Sequence, residues 1–577
     1  MHFFEKVVGG HRYRVAAQAV WDAGKGRPYS RQVVLGQADP PPVVDLSTTS
    51  TVGTARVGDV GALLWVAEQL DLISLINRAC GWSGGPKSVS VGEMVLAVAV
   101  QRACLPGGKS DLAAFLDDSV PRVACLPSDA FTGQVFHRLA SLVTDSHLER
   151  AQLDLARAAV ARFELSTDVL AFDTTNFDTH IDTTTGGELA RRGHAKSKRR
   201  DLRVVGLGVL VSETGHVPLL YRSYAGNSSD QAVLESCLEA LGHLHDVLDK
   251  EETGRVRSSS RTLVRDGGFW SPQLELCLES TGFHSLISLP LEHSAAKQAL
   301  EAATKRGAMK RLRGTLKDVR AARVRTKVGD LDRTLVVVES KELLEGQKRG
   351  ISAALVKAKA ELKKLERRVE AGRIMKAELE KRVAKALRRE HLSHFVVAEV
   401  EGTESQPTLR WVVDAARRRH LETTRLGRRV LCTDRHSWGN ERIVHGFRGQ
   451  WNVEELFRRA KKGGVVPWGP SFQWADPSLR LHTFATVIGL TLVSLTKLAL
   501  GTASSARATM AELAGIQATL VRTTTGGVGR RPTWMLAPDL TPIQWRAVER
   551  FQLDRWLPVL LSARITRRRN SDVPAAA

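Results

Sequence analysis

Apolar positions along this chain recur in different rhythms, and the changes of rhythm divide it. Residues 11–15 and 31–35 alternate as strands do, with a turn at residues 24–28 between them. They predict a small N-terminal β module over residues 1–45, closed by Pro40, Pro41 and Pro42. From Val60 to about residue 163 the spacing is helical, through Leu63, Leu64, Val66, Leu70, Leu72, Ile73 and Ile76, then residues 94–100 and 112–116. A compact all-α domain over residues 46–165 follows, suited equally to docking on DNA and to serving as a packing scaffold. From residue 168 short apolar runs take over. Residues 169–172, 202–211, 216–222, 261–264 and 282–289 read as strands, and residues 226–230 as a turn opening a helix to about residue 248, with Asp230 as its N-cap. Strands alternating with helices after an initial meander predict a mixed α/β sheet, whose first part is residues 166–295.

Over residues 296–446 that alternation is interrupted. Residues 334–339, 394–400, 409–413 and 429–432 read as strands of a separate sheet. Residues 342–392 read as a charged helical hairpin divided at Gly372, with Leu355, Leu362, Leu365, Val369, Leu379, Val383 and Leu387 as its apolar positions. The region is expected to be an insertion within the α/β domain, which resumes over residues 447–503. There Phe447, Trp451, Val453, Leu456 and Phe457 predict an amphipathic helix. Residues 484–500 form an apolar stretch, but Thr486, Thr491, Ser494 and Lys497 interrupt it, so a buried core helix is expected and no membrane partner. Residues 504–577 are read as a C-terminal helical region ending in a disordered basic tail around residues 566–569.

Composition changes this picture in one respect. Of 577 residues 43% are apolar and 25% charged, which is ordinary, but 84 Lys and Arg face 62 Asp and Glu, a net charge of +22. Such an excess favours a polyanionic partner, most often nucleic acid; an anionic membrane surface or an arginine-rich host composition would account for the same excess. The six cysteines include no C-x-x-C pair and the first residues lack the apolar core of a signal peptide, so a cytosolic protein with reduced thiols is expected.

Asp173 and Asp266 each close an apolar strand, and in α/β sheets groups at strand ends reach the site crevice. Glu454 lies in a helix rich in arginine and lysine; a salt-bridged surface helix would have the same pattern. Three carboxylates close together repel unless cations sit among them, and Mg²⁺ takes hard oxygen ligands. Asp178 and Asp182 compete with Asp173 for the first position. The basic run Arg191, Arg192, Lys196, Lys198, Arg199 and Arg200 suits phosphates or a solvated loop. His194 and His482 are weaker metal-ligand candidates, and His482 is expected to be a hydrogen-bonded core histidine.

Taken together these residues resemble the bacterial insertion-sequence transposases of the DDE class, in the subgroup with a Tyr-Arg-Glu-Lys signature. The resemblance rests on Leu170 to Asp173 with Thr174, Thr175, Asn176 and Phe177; on Arg192, Gly193 and His194 through Leu202; on Gly226 and Asn227; on Val264, Arg265, Asp266 and Gly267; on Trp411 with Asp414; on Leu431 to Asp434; on Glu454 and Lys461; and on Gln473 to His482. Phe447 stands at the signature tyrosine, Gln450 at the arginine, and Gly267 where a basic residue is common. Arg448 is the nearest substitute for the arginine. The resemblance implies an RNase H-like mixed sheet interrupted by a β-rich insertion with a long helical hairpin and preceded by an all-α domain. It implies Asp173, Asp266 and Glu454 as catalytic and metal-binding acids holding two Mg²⁺ (or Mn²⁺) ions per active site. It also implies DNA contacts at Lys461, Arg448, Arg458, Lys198, Arg199 and Arg200, with Trp411 as a stacking partner for a flipped base unless it is a buried strand tryptophan. Expected partners are the element's terminal inverted repeats and target DNA, bound by a homodimer in the bacterial cytoplasm at the nucleoid. The implied activity is cut-and-paste transposition through a hairpin. A domesticated or inactive DNA-binding derivative, and an RNase H-like nuclease without target joining, fit the same residues.

Overall fold

The computed structural model describes residues 1–38, 49–81, 85–182, 186–252, 261–305, 307–389, 391–523, 533–536 and 539–556. The chain divides into two compact units. The first comprises Met1–Arg261, Ser280–Phe283 and Gly449–Ala577; the second comprises Thr262–Glu279 and His284–Arg448.

The first unit opens with an antiparallel meander of β1 (His2–Val8), β2 (His11–Asp22) and β3 (Arg27–Gln37). β4 (Thr49–Arg56) leads into α1 (Gly58–Gln69), α2 (Leu72–Cys80), α3 (Val91–Cys104), α4 (Leu112–Asp117), α5 (Gly133–Leu142) and α6 (Asp145–Phe163). Ser90 caps α3 in a reciprocal box with Glu93, and Thr144 caps α6. Next come β5 (Val169–Asp178), β6 (Val204–Ser212) and β7 (Pro218–Ala225), with β6 antiparallel to both neighbours. Every residue of β6 is buried, which is why its sequence is a continuous apolar run. The helix expected after Gly226 is two, α7 (Asp230–Glu235) and α8 (Leu238–Glu252). Its N-cap is Ser229, whose hydroxyl accepts from Ala232 N, so Asp230 is left for another partner.

The second unit contains β8 (Thr262–Arg265), α9 (Pro272–Glu279), β9 (His284–Leu289), α10 (Ser294–Thr304), β10 (Lys310–Arg311), β11 (Val319–Val328), β12 (Leu331–Ser340), α11 (Lys341–Glu370), α12 (Lys376–Leu387), β13 (Val396–Gly402), β14 (Pro407–Val413), α13 (Ala415–Thr424), β15 (Arg428–Thr433) and α14 (Asn440–Arg448). Its strands run in the order β10-β11-β12-β15-β9-β8 as a mixed sheet, parallel at β8–β9 and antiparallel elsewhere. This corrects the expectation of a separate sheet at residues 334–339 and 429–432. Val430 pairs with Leu289, and both strands are apolar enough to be interior members of one sheet. Of the second unit's described strands, β13 and β14 form a separate two-stranded sheet. They pack with α11 and α12 around Leu355, Leu362, Leu365, Leu379, Val383 and Leu387. Arg265 and Arg333 are buried and share Glu275.

The remainder of the first unit is α15 (Gln450–Ala460), α16 (Asp476–Leu500), α17 (Ala506–Ala514), β16 (Gln517–Thr523), β17 (Thr533–Leu536) and α18 (Pro542–Arg550). The helix expected around Glu454 therefore starts only after Gly449. α16 is longer than the apolar stretch that announced it; it is long and apolar enough to cross a membrane, yet most of it is buried inside the unit. The last region is not wholly helical: β16 pairs with β17 and with β4, so a strand opens the stretch expected to be all-α. The expected basic tail lies outside the described residues.

Candidate active site

Strand β5 is the backbone of the site. Asp173 is not at its end, as the apolar run suggested, but in its middle: Thr174, Thr175 and Phe177 carry the strand on, paired with Val205 to Gly208. Asp173 is half-buried and accepts from Thr174 N at 2.7 Å. The Thr174 hydroxyl, fully buried, donates to Asp230 Oδ1 at 2.6 Å. Tyr224 reaches across β6 to donate to Thr175 O at 3.1 Å. Its ring lies over Gly206, where a Cβ would come within 2.1 Å of it, so only glycine leaves room. Burial, and then the nearby Asp230 and Asp173 carboxylates, push the Tyr224 phenol up to about 12. Asp230 and Tyr224 are neighbours of the candidate acid that sequence reasoning missed; the only signal was the polar pair Thr174 and Thr175 inside an apolar strand.

The basic segment after β5 is fastened to that strand. Lys196 Nζ donates to Thr174 O. Asn176 accepts from Lys196 N at 2.9 Å and donates to His194 O at 2.9 Å. Ser197 donates to Asp178 at 2.8 Å, so Asp178 is engaged in holding this loop. Arg199 pairs with Asp201, which holds that carboxyl down at about 2. Lys198 and Arg200 are exposed and in no ion pair among the described residues.

Helix α15 packs on β5 and β6, and its apolar Val453, Leu456 and Phe457 are buried. Trp451, expected in the buried face, is instead 53% exposed, with Arg458 over its ring at 5.4 Å. Glu455 accepts both Arg458 and Arg459, at 3.0 and 3.5 Å. Glu454 is exposed and in no ion pair among the described residues. Lys461 does not continue the helix face: α15 ends at Ala460, and Lys461 caps it in an extended conformation, exposed. Beyond it Trp468 N donates to Ala460 O, and the Trp468 ring stacks on Phe177 at 5.0 Å. Phe177 and Asp173 share a face of β5 by the alternation of the strand. His482 is a core residue, as expected: it donates to Trp468 O at 2.8 Å, and its other nitrogen accepts from Lys109 at 3.0 Å.

In the second unit Asp266 follows β8 directly, is exposed, and accepts from Gly267 N at 2.8 Å. Arg448 is exposed at the end of α14. Phe447 is buried beneath the Arg429 guanidinium, 5.2 Å away, and offers no polar group in place of the signature tyrosine. Trp411 packs against the apolar cluster of the helical hairpin, and its indole nitrogen has no hydrogen-bond partner among the described residues.

Carboxylates suit a hard divalent cation. Among the described residues no three His, Cys, Asp or Glu side chains are gathered into a group that could hold a metal. No protein-family model and no curated protein matches the sequence. Among solved structures the chain is similar to a piggyBac transposase in a synaptic complex with hairpin DNA, determined by cryo-EM. The two are 11% identical, over 81% of this chain and 82% of that one, with a TM-score of 0.35. That likeness is distant.

Proposed function

We propose that this chain is a DNA transposase of the DDE class that moves an insertion sequence by cut and paste. The observation that carries the reading is the placement of α15 on β5. Glu454 lies on α15 and Asp173 on β5, and among the described residues Glu454 is in no ion pair while Glu455 takes both arginines. The basic loop fastened to the same strand supports it. Asp173 and Glu454 are the proposed catalytic acids of the first unit, and Asp266 the proposed third. Bound to these carboxylates, two Mg²⁺ (or Mn²⁺) ions would supply Lewis-acid stabilisation of the attacking and leaving oxygens. Lys198, Arg200, Lys461 and Arg448 are proposed to grip phosphates.

In this reading water attacks the phosphodiester at the element end, the P–O3′ bond breaks, and the 3′-oxygen leaves as a hydroxyl. That hydroxyl attacks a phosphodiester of the opposite strand, displacing the flanking DNA's 3′-hydroxyl and giving a hairpin; a second water opens it to a 3′-hydroxyl, and the 3′-ends then join target DNA by displacing target 3′-hydroxyls. The active form is proposed to be a homodimer on paired inverted repeats in the bacterial cytoplasm, with an RNase H-like catalytic core.

The test is cleavage of DNA carrying the element's terminal repeats, with Mg²⁺. Asp173→Asn, Asp266→Asn and Glu454→Gln are each expected to lose at least the roughly 10–100-fold that disturbing even an outer partner of a metal ligand costs, with DNA binding retained. Cleavage at the wild-type rate by all three variants sinks the site. One observation favours a second reading, a DNA-binding derivative without catalysis: Phe447 and Gln450 stand where the signature has its tyrosine and arginine. That reading predicts a wild-type protein that binds the repeats and never cuts them.

A further inference from the structure

The segment between α15 and α16 is anchored at its base and apolar at its tip. Trp468 is fully buried, stacked on Phe177 and donating to Thr483 at 3.0 Å. Arg102 donates to Pro467 O and Gly469 O. Ser471 is buried and accepts from His180 N at 3.0 Å through its carbonyl. From this fixed base Phe472 and Trp474 stand 63% and 64% exposed, and the exposed His180 ring stacks on Phe472 at 5.4 Å. Large aromatics held out by an ordered support, rather than by a loose loop, indicate a partner that covers them.

Charge selects the partner. Thr179, the residue before His180, donates through its amide and its hydroxyl to Arg203 O, at 2.9 and 3.0 Å. The basic segment from Lys196 to Arg203 therefore runs up to the aromatic tip. Its cations Lys198 and Arg200 have no ion pair among the described residues, and the neighbouring Asp476 is occupied by the amides of Glu188 and Leu189. Rings at the end of a basic segment, whose Lys198 and Arg200 are in no ion pair among the described residues, match unpaired nucleobases on a phosphate backbone: every base has a face to stack, and the cations follow the phosphates. A duplex hides its base faces, so the exposed rings would be of little use to it.

We propose that His180, Phe472 and Trp474 form a stacking platform for unpaired bases of a nucleic-acid strand, with Lys198 and Arg200 on its phosphates. The proposal rests on the DNA reading above only in taking that strand to be DNA. Fluorescence anisotropy with the full-length protein tests it, using labelled oligothymidylate, an abasic strand of equal length and a duplex. The wild type is expected to prefer oligothymidylate over the abasic strand. Phe472→Ala with Trp474→Ala should weaken oligothymidylate binding about tenfold or more and leave abasic and duplex binding unchanged. Phe472→Tyr with Trp474→Phe should restore it. Both side chains are exposed, so the alanine pair should melt like the wild type. An alanine pair that binds oligothymidylate as the wild type does overturns the platform. So does a change confined to self-association, which would make the tip a contact between copies. If the base-dependent binding appears but no strand is ever cut with Mg²⁺, the platform stands and the transposase reading fails.

Discussion

At the scale of single residues, burial shifts the titration of two hydrogen-bonded groups in the first unit. Trp468 O can only accept, so His482 Nε2 carries the proton and Nδ1 accepts from Lys109. Burial, with Lys109 and Arg102 nearby, keeps the His482 imidazole neutral well below its usual range. Burial and Arg102 push the Lys109 ammonium down to about 7. The signs follow. As pH falls through about 6.5 the unfolded imidazole takes a proton that the folded one refuses, so stability drops on acidification. Between about 7 and 10.5 the unfolded Lys109 holds a proton that the folded chain has released, so stability rises with pH across that window. His482→Gln can keep both hydrogen bonds, so it should cost about 1 kcal/mol and flatten the acid limb. Lys109→Met should flatten the alkaline rise. Urea unfolding at pH 5.5, 7 and 9 (chosen to bracket both windows) checks both, and unchanged slopes in both variants would sink the assignment.

At the scale of elements, the loop that carries the basic run is held by backbone packing as well as by side chains. Gly193 and Gly226 pass so closely that a Cβ on Gly193 would lie 1.9 Å from Gly226 O. Arg191 and Val204 are bonded in both directions beside them, at 3.2 and 2.8 Å. Gly193→Ala must push the loop away from Gly226, just past β7, and should cost about 1–3 kcal/mol by overpacking. It should also weaken DNA binding while Asp173 stays in place. Thermal melting with an affinity measurement reads both; a variant that melts and binds like the wild type refutes the anchoring role. The sequence already marked this spot through the turn at Gly226, because such turns carry their own local chemistry. The buried run of β6 and the core helix α16 were legible for the same reason: their apolar pattern is local. What local pattern does not encode stayed hidden. The β16–β4 pairing joins segments at opposite ends of the chain, so no window contains both. The break at Gly449 and the stop at Ala460 moved Trp451 and Lys461 off the faces that uninterrupted helical spacing assigned them. Asp173 looked like a strand end because polarity interrupts an apolar run, whereas β-branched Thr174 and Thr175 keep the backbone extended.

At the scale of the whole molecule the net charge of +22 has two explanations, a polyanionic partner or an arginine-rich composition, and they differ in where the charge acts. A compositional excess is spread over the surface, and no single cation matters to binding. A nucleic-acid site makes a few cations release counterions, so the logarithm of affinity falls linearly with the logarithm of salt concentration, by about 0.9 for each phosphate neutralised. The structure separates the cations of the β5 loop on these grounds. Lys198 and Arg200 are unpaired among the described residues, whereas Arg199 is committed to Asp201. Lys198→Ala with Arg200→Ala should therefore reduce the salt slope of duplex binding by about 2, roughly 1 for each cation removed from a phosphate. Arg199→Ala should change it by less than either, since its charge is already balanced by a neighbour. Asp201→Ala should do the reverse, freeing Arg199 and steepening the slope. Affinities measured across a salt titration decide it: equal slopes in all three variants would return the charge to composition, and a graded response in this order would place the phosphate path along the loop that Asn176 and Asp178 fasten to the strand of Asp173.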